Sequence, residues 1–152
     1  MKNSSSSRVV LQPHSGKAFV EGGRIVVDAV RPTLGPLPRH VVVQRPHRNE
    51  TPEVLDDAGL IARRIAQIAD RDADMGAMHV RQMLWRQREE EGDGAATTAV
   101  IYQALMDAGL RHLAAGGNAM RLRGFLEAAL DDLLMALADQ IEPLDGRTRI
   151  QQ

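Results

Sequence analysis

Cysteine is absent from this chain of 152 residues, and aromatic residues are few: one Trp, one Tyr and two Phe. The first absence excludes disulfides and thiolate metal sites, and it is typical of proteins in a reducing compartment. The second means that leucine, alanine, valine and methionine must fill the core. No apolar run approaches the roughly 18 residues that a membrane span requires. We therefore expect a cytoplasmic protein that does not enter a membrane.

Charge of either sign is not in large excess, because the formal net charge is −1. Such a chain has no global field that would attract nucleic acid or an anionic membrane. A basic group formed by Arg39, His40, Arg45, His47 and Arg48 could contact nucleic acid, but no aromatic residues are interleaved with it. A solvated hairpin explains the group better. We expect no nucleic-acid partner.

Familiar catalytic signatures are missing as well. The five histidines form no HxxxH or similar pair, which argues against a zinc site. The chain has no GxSxG, no paired Cys and His, and no GxxxxGK[ST]. The common hydrolase and Walker-type mechanisms therefore have no support in the sequence.

Helical periodicity dominates the residues that are present. Apolar side chains recur at three- and four-residue spacing in five stretches, namely 17–30, 57–70, 75–91, 95–113 and 119–137. The pair Gly22-Gly23 is unfavourable in the first stretch, since glycine inside a helix costs about 1 kcal/mol. Residues 40–44 form the one clear strand, and 52–55 could be the second arm of a hairpin. These patterns predict a mainly α fold with one small β-hairpin.

Several side chains are predicted to form the core or to end helices. Met75, Met78 and Met83 are better explained as core residues than as a recognition groove. Gly116-Gly117 would end the fourth helix, and Asn118 would cap the fifth. The apolar stripe predicted for the fourth helix comprises Val100, Ile101, Ala104, Leu105 and Ala108.

The segment with the most chemical meaning is Gly92-Asp93-Gly94, which directly precedes the fourth helical stretch. Glycine permits a tight turn and close approach of a ligand to the backbone. The first turn of the helix offers unpaired N–H groups to a phosphate, and Asp93 could hold a divalent cation through its oxygens. Alternatively, this is an ordinary helix start with Asp93 as the N-cap.

Five blocks of the sequence, in order, resemble the GroEL-type (group I) chaperonins. The family pattern reads TLGPKGRNVV, TKDGVSVAREI, NMGAQMV, AGDGTTTATV and AAGMNPMDLKRG. The corresponding stretches of this chain are TLGPLPRHVV, VLDDAGLIARRI, DMGAMHV, EGDGAATTAV and AAGGNAMRLRGF, with similar intervals between them. Each motif is weak alone, but five in register make a strong resemblance. The resemblance runs from about Val9 to the end of the chain. The chain is thus similar to a divergent chaperonin.

The resemblance implies a helical equatorial domain that binds ATP with Mg²⁺. Asp57 matches an acidic residue implicated in hydrolysis, and Asp93 matches the metal-ligand aspartate. The positions matching the family's nucleotide-binding loops are Thr33, Leu34, Gly35, Pro36, Gly92, Asp93, Gly94, Ala95, Ala96 and Thr97.

The resemblance also implies a domain organisation and partners. Residues 1–8 would be a disordered tail, 9–142 the N-terminal half of the equatorial domain, and 143–152 the start of the connection to the intermediate domain. The implied function is assisted protein folding within a ring of chaperonin subunits, with residues 39–55 contacting neighbours and unfolded polypeptides bound by domains outside this stretch. The stretch alone is not expected to hydrolyse ATP. It could self-associate through the leucine-rich stripe of residues 122–137.

Departures from the family pattern concentrate near the expected nucleotide. Ala95 and Ala96 replace two threonines and so remove two hydroxyls. Asp56 replaces a lysine, a charge reversal worth on the order of 1–4 kcal/mol over a few ångströms. Glu90 and Glu91 replace small residues and add negative charge before the loop. These changes favour an alternative function, a chaperonin-derived helical scaffold or interaction module that no longer binds ATP.

Overall fold

The computed structural model describes residues 14–44 and 51–141. Within them the chain forms five α-helices, a 3₁₀ turn at Arg31–Thr33 and one two-stranded sheet. The helices are α1 (His14–Val30), α2 (Ala58–Arg64), α3 (Asp74–Glu91), α4 (Ala95–Ala114) and α5 (Ala119–Ala138), and the strands are β1 (Val41–Val43) and β2 (Glu53–Leu55). The prediction of a mainly α fold with one small hairpin is confirmed. Each described helix is too short or too polar to cross a membrane.

Some sequence predictions fall outside the described residues. The predicted tail (1–8) and the predicted connection (143–152) lie there, and so do Arg45, His47 and Arg48 of the basic group. Of that group, Arg39 and His40 are described, and both are exposed just before β1.

The chain divides into two compact units, Met1–Asp107 and Ala108–Gln152. The core of the first unit forms where α1 packs against α3. An ideal Cβ on Gly22 would lie 1.7 Å from the carbonyl oxygen of Ala73, and one on Gly76 would lie 1.7 Å from that of Phe19. The unfavourable Gly22 of α1 is therefore a contact point, because only glycine lets the two backbones come so close. Around this contact the fully buried aliphatic side chains are Val26, Val27, Val30, Ala77, Val80 and Leu84.

The hairpin covers part of this core with one face. Its strands are antiparallel, with Val41 opposite Leu55 and Val42 opposite Val54. Val41 and Leu55 pack against the core, whereas Val42 and Val54 are exposed. The alternation follows from the two-residue period of a strand, which places successive side chains on opposite faces.

Helix α2 is shorter than the sequence predicts. It ends at Arg64, with Ile65 in an extended conformation, rather than near Asp70. The Arg81 guanidinium of α3 donates hydrogen bonds to the carbonyl oxygens of Ile65 and Ala66, and these carbonyls are thereby held outside a helix. Ile68 is still buried, but from a non-helical segment. A tertiary contact thus overrides the local helical periodicity.

The buried face of α4 also differs from the predicted one. Ile101 and Leu105 of the predicted stripe are more than half exposed, at 55% and 53%. The buried residues are instead Ala95, Ala99 and Gln103, which recur every four positions on another face.

In α3, Met75 and Met78 are likewise exposed, and of the three methionines assigned to the core only Met83 packs against it. Apolar size alone therefore predicted the wrong face of α4 and the wrong burial of Met75 and Met78.

The second unit contains the last residues of α4 and all of α5. Gly116 adopts a left-handed conformation with φ of 89° and ends α4. Asn118 then caps α5, because its side-chain oxygen accepts hydrogen bonds from the N–H groups of Met120 and Arg121 at 2.9 and 3.0 Å. Both predictions for this turn are confirmed. Within the described residues, no side chain of α5 is buried, so its leucine-rich stripe is uncovered.

The contact between α1 and α3 predicts a strong asymmetry among glycine substitutions. Gly76→Ala would drive a methyl group into the Phe19 carbonyl, so we expect a loss of about 1–3 kcal/mol or more in the free energy of unfolding. Urea denaturation followed by circular dichroism measures this loss. Gly124→Ala is the control, since a Cβ on Gly124 of α5 meets nothing within 4 Å. It should be neutral or stabilising by up to about 1 kcal/mol. Equal effects from both substitutions would contradict the close approach.

Candidate functional site

The turn between α3 and α4 is built from two glycines in left-handed conformations. Gly92 has a φ of 78° and ends α3, with its N–H donating to the carbonyl oxygen of Arg88. Gly94 has a φ of 80° and stands immediately before α4, where its carbonyl oxygen accepts from the N–H of Thr98. Residues other than glycine rarely adopt these φ angles. The two glycines therefore set the direction in which α4 begins.

Asp93 lies exposed between these glycines. Its Oδ1 atom accepts a hydrogen bond from the adjacent N–H of Gly94 at 2.6 Å, and its backbone carbonyl accepts one from the Gln87 side chain at 3.3 Å. An N-cap side chain accepts a hydrogen bond from the N–H of the second or third residue of the helix. The Asp93 side chain accepts one from the adjacent Gly94 instead, so it is not the N-cap. Gly94 occupies the N-cap position instead. The carboxylate remains at the surface of the turn.

A second segment, the connector after α1, lies beside this turn. Thr33 is buried, and its hydroxyl donates to the carbonyl oxygen of Val30 at 2.8 Å. The loop that follows is closed by the N–H of Arg39, which donates to the carbonyl oxygen of Pro32 at 3.1 Å. Gly35 within it has a φ of 113°. The connector is thus held at both ends by hydrogen bonds.

Asp57 joins the start of α2 to α3. Its Oδ1 atom accepts from the N–H of Leu60 at 2.8 Å and so caps α2. Its Oδ2 atom accepts from Nε of Arg88 at 2.8 Å, across 31 positions of sequence. Both oxygens of the predicted catalytic carboxylate therefore have protein partners, although each retains a lone pair for a further donor.

The side chain of Arg88 is held along its whole length. A Cβ on the buried Gly59 would lie 2.6–3.1 Å from the Cβ, Cγ and Cδ atoms of Arg88, so the aliphatic stem lies directly against α2. The guanidinium carbon lies 5.6 Å from the centre of the Trp85 ring, within the range of a cation–π contact. Arg88 is half-buried as a result.

These segments enclose one cleft of about 280 Å³. Its lining comes from the connector, the start of α2, the last turn of α3, the glycine turn and the first turn of α4. The residues that line it are Thr33, Gly35, Pro38, Asp56, Asp57, Ala58, Arg88, Gly92, Asp93, Ala95 and Ala96. Seven residues predicted to bind nucleotide or act in catalysis thus meet at one place: Thr33, Gly35, Asp57, Gly92, Asp93, Ala95 and Ala96.

Four predicted residues do not line this cleft, namely Leu34, Pro36, Gly94 and Thr97. Leu34, Pro36 and Thr97 are exposed. Gly94 contributes through the backbone angle described above. The roles assigned to these residues stay predictions.

The charges of the lining are mostly negative. Three carboxylates, those of Asp56, Asp57 and Asp93, against the single guanidinium of Arg88 leave a formal charge of −2. Glu90 and Glu91 are outside the lining, and Glu90 is paired with Arg86 at 2.8 Å. Asp56, unlike the two glutamates, therefore contributes its negative charge to the lining of the cleft.

The lining does not amount to a preformed metal cage. In the parts of the chain that the structure describes, no three His, Asp or Glu side chains are grouped to hold a metal ion. Burial raises the pKa of the Tyr102 phenol above its ordinary value. Tyr102 packs near His79 and Gly23, outside the cleft.

Arg88 is the charged residue of the cleft that the sequence did not identify. The available signal was its position one turn before Gly92, which places it near the end of α3. Its partner Asp57 and the bare backbone at Gly59 are distant in sequence, and only the packing of α2 on α3 brings them together. Two uncharged residues, Pro38 and Ala58, also line the cleft without having been predicted to bind nucleotide.

The two contacts of Asp57 can be separated by substitution. Asp57→Ala removes the cap and the ion pair, and we expect it to lower the free energy of unfolding by about 1–2 kcal/mol. Asp57→Asn retains a capping oxygen and loses only a partly exposed ion pair, worth about 0–1 kcal/mol. Urea denaturation of both variants measures the difference. A loss from Asn as large as that from Ala would show that the ion pair, and not the cap, dominates.

No model of a known protein family matches this chain. The similarity to chaperonins accordingly rests on the five sequence blocks alone. In the structure, the same cleft is lined by residues from three of those blocks, namely 33–42, 54–65 and 91–100.

Proposed function

We propose that the chain binds ATP or ADP with Mg²⁺ in this cleft, as the nucleotide-binding equatorial portion of a chaperonin-like protein. One observation carries the proposal. Segments separated by more than fifty positions, each matched to a nucleotide-binding loop by sequence alone, supply the lining of one cleft. Chance similarity of isolated motifs gives no reason for them to converge.

The local geometry fits a phosphate in two ways. The first turn of α4 begins at the cleft with Ala95 and Ala96 in the lining, so unpaired N–H groups and the positive end of the helix dipole are available there. No acidic side chain occupies that first turn. Gly92 and Gly94 themselves add no side chain beside the backbone, and the Asp93 carboxylate is the side chain between them.

Mg²⁺ suits the acidic remainder of the lining. Mg²⁺ in nucleotide sites is commonly held by one or two carboxylates together with phosphate oxygens and water. Asp93 has one oxygen on the Gly94 amide, and its second oxygen has no partner among the described residues. Asp93 would serve as the protein ligand, and the bound cation would offset part of the charge of −2.

Asp57 is the proposed catalytic residue, placed where the family has an acidic group implicated in hydrolysis. Because both of its oxygens already accept hydrogen bonds, its orientation towards an attacking water is constrained by Leu60 and Arg88. We expect nucleotide binding by this chain without sustained turnover. Assembly with other subunits in a ring, and action on unfolded polypeptides, belong to the same proposal.

Calorimetric titration of ADP and ATP, with and without Mg²⁺, tests the proposal. We expect Mg²⁺-dependent binding that Asp93→Ala weakens by about tenfold or more, the magnitude of one charge-assisted contact. Asp28→Ala is the control, because Asp28 is an exposed aspartate of α1 outside the cleft. Asp56→Lys should tighten binding about fivefold or more by reversing a charge in the lining. If neither the wild-type chain nor Asp56→Lys bound nucleotide, the proposal would be wrong.

A second candidate function is a helical scaffold or interaction module of chaperonin origin that no longer uses nucleotide. The observation that favours it is the uncovered stripe of α5. Large apolar side chains there are roughly half exposed or more: Phe125, Leu126, Leu130, Leu133, Leu134, Met135 and Leu137. Contiguous exposed apolar surface commonly marks a contact with another protein.

This stripe predicts self-association of the chain. Sedimentation velocity over a range of concentrations should show oligomers, and Leu130→Gln with Leu133→Gln should shift the population towards monomer. Leu37→Gln is the control, since Leu37 is an 89% exposed leucine outside α5. A wild-type chain that stayed monomeric at every concentration would rule out this use of the stripe.

A further inference from the structure

We infer that Arg88 is the phosphate-binding cation of the cleft and makes it selective for nucleoside di- and triphosphates over uncharged nucleosides. The inference rests on the proposed function, and it deepens that function by assigning a specificity-determining residue. Three features carry it: how the side chain is held, which of its donors remain available, and what other charges line the cleft.

The side chain is held in place before any ligand binds. Its Cβ, Cγ and Cδ atoms lie against α2 at Gly59, where any larger residue would collide with them. The packed stem therefore fixes the position of the guanidinium in the cleft. Ordering a free arginine on binding costs side-chain entropy, and a stem that is already packed avoids most of that cost.

The guanidinium retains donors for a ligand. It carries five N–H groups, and the hydrogen bond to Asp57 uses the one on Nε. No other hydrogen bond from this guanidinium to a described residue is present in the structure. The Nη1 and Nη2 atoms are thus available, and a planar guanidinium binds phosphate oxygens through two parallel hydrogen bonds.

The remaining charges of the lining make this donor necessary. Arg88 is the one cationic side chain among the eleven lining residues, and Asp56, Asp57 and Asp93 are anionic. A polyphosphate entering the cleft would meet repulsion from each carboxylate. The guanidinium and a bound Mg²⁺ are the groups that would oppose it, whereas an uncharged nucleoside gains little from either.

Asp57 then has a positioning role towards Arg88. Its Oδ2 atom fixes the Nε edge of the guanidinium, and its Oδ1 atom is itself fixed by the Leu60 N–H. The carboxylate therefore orients the opposite edge, which bears Nη1 and Nη2. The Asp57 carboxylate also neutralises the Arg88 guanidinium, so the net charge of the two side chains is zero. Affinity for phosphate would therefore depend on directed hydrogen bonds as well as on charge.

The test compares ADP and adenosine as probes, with Mg²⁺ present, by calorimetry on the whole chain. Arg88→Gln retains Cβ, Cγ and Cδ, the atoms that pack on Gly59, and removes the charge. We expect it to weaken ADP binding about tenfold to a hundredfold and to leave adenosine unchanged. Arg86→Gln is the matched control on the same helix, because Arg86 is exposed, pairs with Glu90 and is outside the cleft. It should bind ADP as the wild-type chain does.

The outcomes separate this inference from the function on which it rests. ADP binding of equal affinity in the wild-type chain and a folded Arg88→Gln variant would overturn the role of Arg88 and leave the proposed function standing. No ADP binding by the wild-type chain would overturn both. If Arg88→Gln did not fold, Arg88→Lys would decide, since lysine keeps the stem and charge but not the planar fork. It should bind ADP several-fold more weakly, and unchanged ADP affinity would overturn the inference.

Discussion

The close approach of α1 and α3 is the constraint on which the first unit depends. Two backbones meet at Gly22 and Gly76, where a methyl group on either would enter a carbonyl of the other helix. With few aromatic residues to span gaps, the core is filled by valines, alanines and three larger aliphatic residues, Ile61, Ile68 and Leu84. Small side chains fill space only if the helices are near, so the glycines and the aliphatic core require each other.

The cleft follows from this packing. Because α3 is fixed against α1, its last turn and the Gly92–Gly94 turn have a fixed position, and α2 packs against the same helix at Gly59. Arg88 is then held against α2, and Asp57 is joined to it. The pair of Arg88 and Asp57 in the cleft is therefore positioned by the packing of the core helices. Substitutions that separate α1 from α3 should disturb the cleft even though they are not in its lining.

The charges that line the cleft differ from those of the chaperonin pattern that the sequence resembles. Asp56 stands where that pattern has a lysine, and Ala95 and Ala96 stand where it has two threonines. Arg88, one turn before Gly92, supplies the guanidinium of the lining. The departures from the pattern therefore describe only part of the charge in the lining.

The sequence by itself determined the elements that depend on local chemistry. These are the helical stretches, the hairpin, the Asn118 cap and the two turns at Gly92-Asp93-Gly94 and Gly116-Gly117, since each follows from propensities within a few residues. Tertiary structure decided the rest. It ended α2 at Arg64 through Arg81, it selected Ala95, Ala99 and Gln103 as the buried face of α4, and it brought Arg88 to Asp57. These outcomes depend on contacts between segments that are distant in sequence, which no local pattern encodes.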